Sequence, residues 1–103
     1  MKTIMLVCAA GMSTSLLVTK MKKAAESKGV NADIFAIPAS EMSSVLEHKN
    51  VDAVLLGPQV MYMKKQLEAE LSIKNIPIEA INVQDYGMMN GEKVLDQAFA
   101  LIK

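Results

Sequence analysis

The chain has 103 residues, 51% hydrophobic, 21% charged and 4% aromatic, which is enough apolar material for the core of one domain spanning residues 1–103. Eleven cations, all lysine, balance eleven carboxylates, so there is no basic field for a polyanion, and two Tyr, two Phe and no Trp argue against a nucleic-acid module built on base stacking. One Cys and one His exclude an internal disulfide, a cysteine zinc site and a His-pair metal site, and the lack of any Arg removes guanidinium chemistry.

Residues 3–7 form a continuous apolar run rich in β-formers, the pattern of a strand buried on both faces. Residues 15–28 carry apolar positions at 17, 21, 24 and 25, one helical face, and Gly29 stops that helix. Residues 32–37 read as a second strand ended by Pro38, and residues 40–46 as a short helix with Ser40 as N-cap. A third strand over 51–56 ends at Gly57-Pro58, and a helix over 60–71 places Val60, Met63, Leu67 and Leu71 on one side. A fourth strand over 78–81 follows Pro77, and Asn90 caps a last helix lined by Val94, Ala98, Leu101 and Ile102. The alternation predicts an α/β fold: a parallel sheet with right-handed crossovers and helices on both faces. No apolar run reaches the roughly 18 residues of a membrane helix, and 3–7 is too short for the core of a signal peptide. The expectation is a cytoplasmic protein with a lone, unpaired thiol and no insertion into the membrane.

Chemistry in such a sheet gathers beyond the carboxyl ends of the strands. Cys8 stands at the end of the first strand, followed by Ala9, Ala10, Gly11, Met12, Ser13, Thr14 and Ser15 and then a helix. Small residues let that backbone turn several N–H groups inward at a positive helix end, which makes an anion cradle. The same donors favour a thiolate and would hold a tetrahedral oxyanion on the sulfur, so nucleophile and phosphate cradle coincide. Three readings stand: a cysteine that accepts and holds a phosphoryl group, an arginine-free thiol phosphatase or arsenate-reductase-like enzyme, and a non-covalent module for a phosphorylated ligand. Cys phosphatases use Cys-x5-Arg, and the sixth residue after Cys8 is Thr14. Without the bidentate clamp, and with no Asp or Glu in the loop as general acid, rapid hydrolysis is disfavoured.

The segment Cys8-Ala9-Ala10-Gly11-Met12-Ser13-Thr14-Ser15-Leu16-Leu17-Val18 closely resembles the phosphorylation loop of enzyme IIB of the sugar phosphotransferase system, lactose/cellobiose family. Asp52-Ala53-Val54-Leu55-Leu56-Gly57-Pro58-Gln59-Val60 with Tyr62-Met63 resembles that family's third strand and following loop. Met12-Ser13-Thr14-Ser15 is similar to the cellobiose and diacetylchitobiose branch, whereas the lactose branch tends to show glycine at Met12. The resemblance implies a four-stranded parallel sheet and a phosphoryl relay. A phosphohistidine on enzyme IIA donates to Cys8, and phospho-Cys8 passes the group to a sugar, cellobiose-like β-glucosides being the expectation, bound by the membrane component, enzyme IIC. Residues Ala9 to Ser15 carry over as the phosphate-binding loop. No metal or cofactor is implied.

Gln59, Tyr62 and Tyr86 fall near this site by topology, as groups that bond phosphoryl oxygens or contact a partner. Nine Met is a high count, and Met12, Met88 and Met89 lack core periodicity. They are expected to ring Cys8 as a docking patch, because exposed Met repacks readily against different partners. His48, between a helix and a strand, reads as a solvated residue.

Overall fold

The computed structural model describes residues 1–8 and 12–102, and of Met12 and Ser13 only the backbone. Strand β1 (Lys2–Cys8) is central: it pairs in parallel with β2 (Ala32–Pro38) on one side and β3 (Ala53–Leu56) on the other. β4 (Ile78–Ala80) adds in parallel to β3, completing the order β2-β1-β3-β4. Ile4, Met5, Leu6, Val7 and Cys8 are all buried, which explains the unbroken apolar run: both faces of β1 are covered.

Alternation along β1 divides the core. Ile4 and Leu6 face α1 (Met12–Ser27) and α5 (Gly91–Leu101), packing with Leu17, Met21, Ala25, Val94, Leu95 and Ala98. Met5 and Val7 face α2 (Met42–His48) and α3 (Lys64–Ile73), packing with Met42, Leu46, Leu67 and Leu71. Each fully buried Leu, Ile or Met contributes about 1.5–3 kcal/mol, so these two layers hold the helices to the sheet.

Gly29 ends α1 in the left-handed region (φ 69°), where Val30 N–H bonds the Ala25 carbonyl at 2.9 Å and Gly29 N–H bonds Glu26 at 3.1 Å. Asn75 (φ 57°) closes α3 in the same way, with Ile76 N–H on the Leu71 carbonyl at 3.1 Å. At the sheet's other end, Asp52 lies before β3 and still holds β1: its N–H bonds the Thr3 carbonyl and its carboxylate accepts from Thr3 N–H, both at 2.8 Å.

Several local expectations need correction. The helix expected over 15–28 starts at Met12, so the backbone of residues 12–15, expected as loop, is the first turn of α1, and the strand expected over 51–56 covers only Ala53–Leu56. Ser40 is not an N-cap. It sits inside a 3₁₀ turn, Ala39–Glu41, and α2 starts at Met42 behind Glu41, with no side-chain cap bond. Pro38 leaves the strand extended (φ −68°, ψ 150°), so the chain needs that turn before it can begin a helix. The helix expected over 60–71 begins as a 3₁₀ segment, Pro58–Met63, and becomes α-helical only at Lys64. A further helix, α4 (Val83–Gly87), occupies a stretch expected to be loop.

Candidate functional site

The strand order reverses at β1: the chain leaves it for β2 on one side, then returns to build β3 on the other. The crevice beyond the carboxyl ends of β1 and β3 is therefore the topological switch point, the favoured place for a ligand in such sheets. Register places Cys8 opposite Pro38 and Val7 opposite Leu56, so Gly57 follows β3 beside Cys8. Gly57 N–H continues the ladder to the Val7 carbonyl at 2.8 Å. A Cβ on Gly57 would stand 3.8 Å from Cys8 Cβ and 3.1 Å from Gln59 Oε1. Gly57 is thus the floor between the thiol residue and the Gln59 amide.

Three residues separate Cys8 from α1, a 16-residue helix with no acidic side chain in its first turn. The positive helix end therefore meets no carboxylate of its own first turn. Thr14, in that turn, is 1% exposed and is the one buried polar residue among the described residues; Ser15 is exposed. Ala9, Ala10 and Gly11, and the side chains of Met12 and Ser13, lie outside the described residues, and with them the first part of the expected phosphate loop.

The expected nucleophile is not presented to solvent. Cys8 is 2% exposed, and its Sγ donates to the Ile37 carbonyl of β2 at 3.6 Å. The central strand carries burial up to its last residue, and an S–H is a weak donor that takes the carbonyl at the neighbouring strand's tip.

Around this point the structure joins residues that are distant in sequence. Gln59 Nε2 donates to Tyr86 Oη at 3.3 Å, linking the 3₁₀ segment after β3 to α4. Tyr86 is half-buried against the α1–α5 layer. Tyr62 (80% exposed) and Met88 (69%) stand out in solvent, with Leu16, Met61 and Val83 also exposed. Met89 departs from the expected patch: it is partly buried and packs against the α1–α5 layer, in the left-handed region (φ 53°) that ends α4. His48 is exposed at the end of α2.

Sequence reading missed Asn82 as a cap. Its Oδ1 accepts from Gln84 N–H at 3.0 Å and Asp85 N–H at 3.1 Å, and Asp85 adds an acid to the first turn of α4. The signal was present, an Asn three residues before an Asp, but the segment lacks the apolar period that marks longer helices. A surface hollow of about 680 Å³ lies at the opposite end of the sheet, lined by Lys2, Asp52, Lys74, Asn75, Leu101 and Ile102 among others. It holds no thiol or imidazole, so its size does not make it the reaction site. Among the described residues no group of three or more His, Cys, Asp or Glu side chains is placed to hold a metal ion. No helix is long and apolar enough to cross a membrane, among the same residues.

Residues 3–97 match the family described as "PTS system, Lactose/Cellobiose specific IIB subunit". The oligo-beta-mannoside-specific EIIB component of Bacillus subtilis (strain 168) is 44% identical over 102 residues, covering 99% of this chain and 97% of that protein. The cellobiose-specific EIIB component of Lactococcus lactis subsp. lactis (strain IL1403) is 47% identical over 100 residues, covering 94% and 93%. The galactose-specific EIIB component of Lactococcus lactis subsp. cremoris (strain MG1363) matches with the same identity and coverage. The solution structure of a cellobiose-specific phosphotransferase IIB component from Borrelia burgdorferi superposes with a TM-score of 0.79 at 50% identity, covering 98% of this chain and 91% of that one. The lactose-specific IIB domain from Streptococcus pneumoniae shares the fold at 15% identity, with a TM-score of 0.87 over 99% and 98% of the two chains. Sheet order, helix placement and sequence therefore agree that this chain belongs to the lactose/cellobiose-specific IIB family and is a sugar phosphotransferase component of the phosphotransferase system.

Proposed function

We propose that Cys8 is the phosphoryl carrier, taking the group from a phosphohistidine of enzyme IIA and passing it to a sugar held by the membrane component IIC. The observation that carries this reading is the position of the thiol residue. It lies at the tip of the central strand, at the switch point, separated by three residues from a helix whose first turn carries no acidic side chain. In the first step sulfur attacks phosphorus, an S–P bond forms and the N–P bond breaks, and the thiol proton ends on the released imidazole. In the second step a sugar hydroxyl attacks phosphorus, the S–P bond breaks, and the hydroxyl proton returns to sulfur. Backbone N–H groups of Ala9 to Ser15 and the helix end stabilise the charge of roughly −1.5 to −2 on phosphocysteine.

The first step requires Cys8 to give up its bond to the Ile37 carbonyl, because a phosphorylated sulfur has no proton to donate. The side chain then turns from the β2 side toward α1. Leu16, Met61, Tyr62, Val83 and Met88 form the apolar rim on which IIA and IIC dock in turn, from the cytoplasmic side. The relatives carry three different sugar designations at 44–47% identity, which supports placing sugar choice mainly in IIC.

Intact-mass measurement after incubation with phosphoenolpyruvate, the general phosphotransferase proteins and IIA tests this reading. One added phosphoryl group is expected on the native chain and none on Cys8→Ser. Sugar phosphorylation that survives Cys8→Ser overturns the carrier role in favour of non-covalent binding. Sustained Cys8-dependent hydrolysis of an aryl phosphate overturns it in favour of a phosphatase.

A further inference from the structure

We propose that Gln97 on α5 is a positioning residue for phosphoryl transfer at Cys8, acting through α4 and the Gln59–Tyr86 bond; the proposal rests on the carrier reading above. Its side-chain amide is used at both ends. Nε2 donates to the Ala80 carbonyl at 2.8 Å and to Glu79 Oε1, and Oε1 accepts from Asn82 N–H at 3.1 Å. Ile81 N–H points into the sheet, to the Leu56 carbonyl, so the Ala80 carbonyl points to the outer edge of β4. Gln97 satisfies that edge carbonyl and fixes the point where the chain leaves the sheet.

What leaves the sheet there is α4, five residues long, a length with no stability of its own in water. Its place is set from its ends. Asn82 serves three ways: its N–H is held by Gln97, its side chain caps Gln84 and Asp85, and its carbonyl accepts from Tyr86 N–H at 2.9 Å. Tyr86 then meets Gln59, and the other end of the Gln59 amide lies over Gly57, which lies on Cys8. A residue beyond α4 therefore sets where the Gln59 amide stands over Gly57, the residue next to Cys8 at the end of the β1–β3 ladder.

The test is single-turnover transfer from phosphorylated IIA to the full chain, with Cys8 phosphorylation read by mass. Gln97→Leu is expected to lower the maximal rate about 3- to 10-fold, the worth of one or two lost hydrogen bonds, with the apparent KM for IIA little changed. In a Tyr86→Phe background the same substitution is expected to cost nothing further, because its effect passes through that hydroxyl. Gln97→Glu faces Glu79 with a second carboxylate and loses the donor; adding Glu79→Gln restores a donor between the two positions and is expected to recover part of the rate. This exchange keeps the polar character and the chain's fold, so it decides the matter if Gln97→Leu unfolds. A native rate, a raised KM with the rate unchanged, losses that add in the double variant, or no rescue by Glu79→Gln overturns the proposal. Phosphorylation persisting in Cys8→Ser would instead overturn the carrier reading.

Discussion

Gly91→Ala adds a single methyl where α5 crosses α1 most closely among the glycine positions of the described residues. Its Cβ would stand 2.5 Å from the Lys20 carbonyl carbon, 2.7 Å from the Lys20 oxygen and 2.7 Å from Met21 nitrogen. All three are backbone atoms, so no side chain can swing away. Ordinary contact starts at 3.4 Å, and α1 must retreat as a body by about 1 Å. That retreat loosens Leu17, Met21 and Ala25 against Val94, Leu95 and Ala98. Forced overpacking costs about 1–3 kcal/mol. Against it stands the lost backbone freedom of the unfolded glycine, which favours alanine by about 0.5–1 kcal/mol. At the middle of each range the clash wins, and the net loss of about 1 kcal/mol lowers Tm by about 4–8 °C for a chain of this size. Lys20 is about 12 Å along α1 from Met12, so the displacement also reaches the helix end that follows Cys8 in the chain, and transfer is expected to slow. Urea titration followed by far-ultraviolet circular dichroism measures the stability change, with the m-value unchanged. An equal or higher midpoint would show that α1 yields without cost and would refute the reasoning.

Met88→Ser removes an exposed apolar side chain from the docking rim, so the apparent affinity for IIA should fall about 3- to 10-fold while stability stays within about 0.5 kcal/mol; an unchanged affinity contradicts the rim. Phosphorylation should shift the carbon-13 carbonyl resonance of Ile37, which loses the thiol donor. If mass shows phosphocysteine and that resonance stays in place, the inward thiol bond is not what the first step breaks.

Much of this molecule was legible in the sequence. The apolar run of β1, the helical faces of α1 and α5, the Gly29 stop and the Asn90 cap all declare themselves within a few residues, because strand and helix periods and capping are local. The Cys8 segment was likewise legible as a strand end running into a helix. Tertiary structure decided what depends on residues far apart in the chain. The reversal of strand order at β1 sets Gly57 against Cys8, and no local pattern encodes that contact. The short helix α4 is capped by the Asn82 side chain, and Asn82 N–H is in turn held by Gln97, 15 positions later. Met89, itself the left-handed residue that follows α4, packs inward, and Cys8 was turned toward Ile37 by the burial of its strand. Sequence patterns specify which elements form; the free energy of packing them together specifies which side chains meet and which way the sulfur faces.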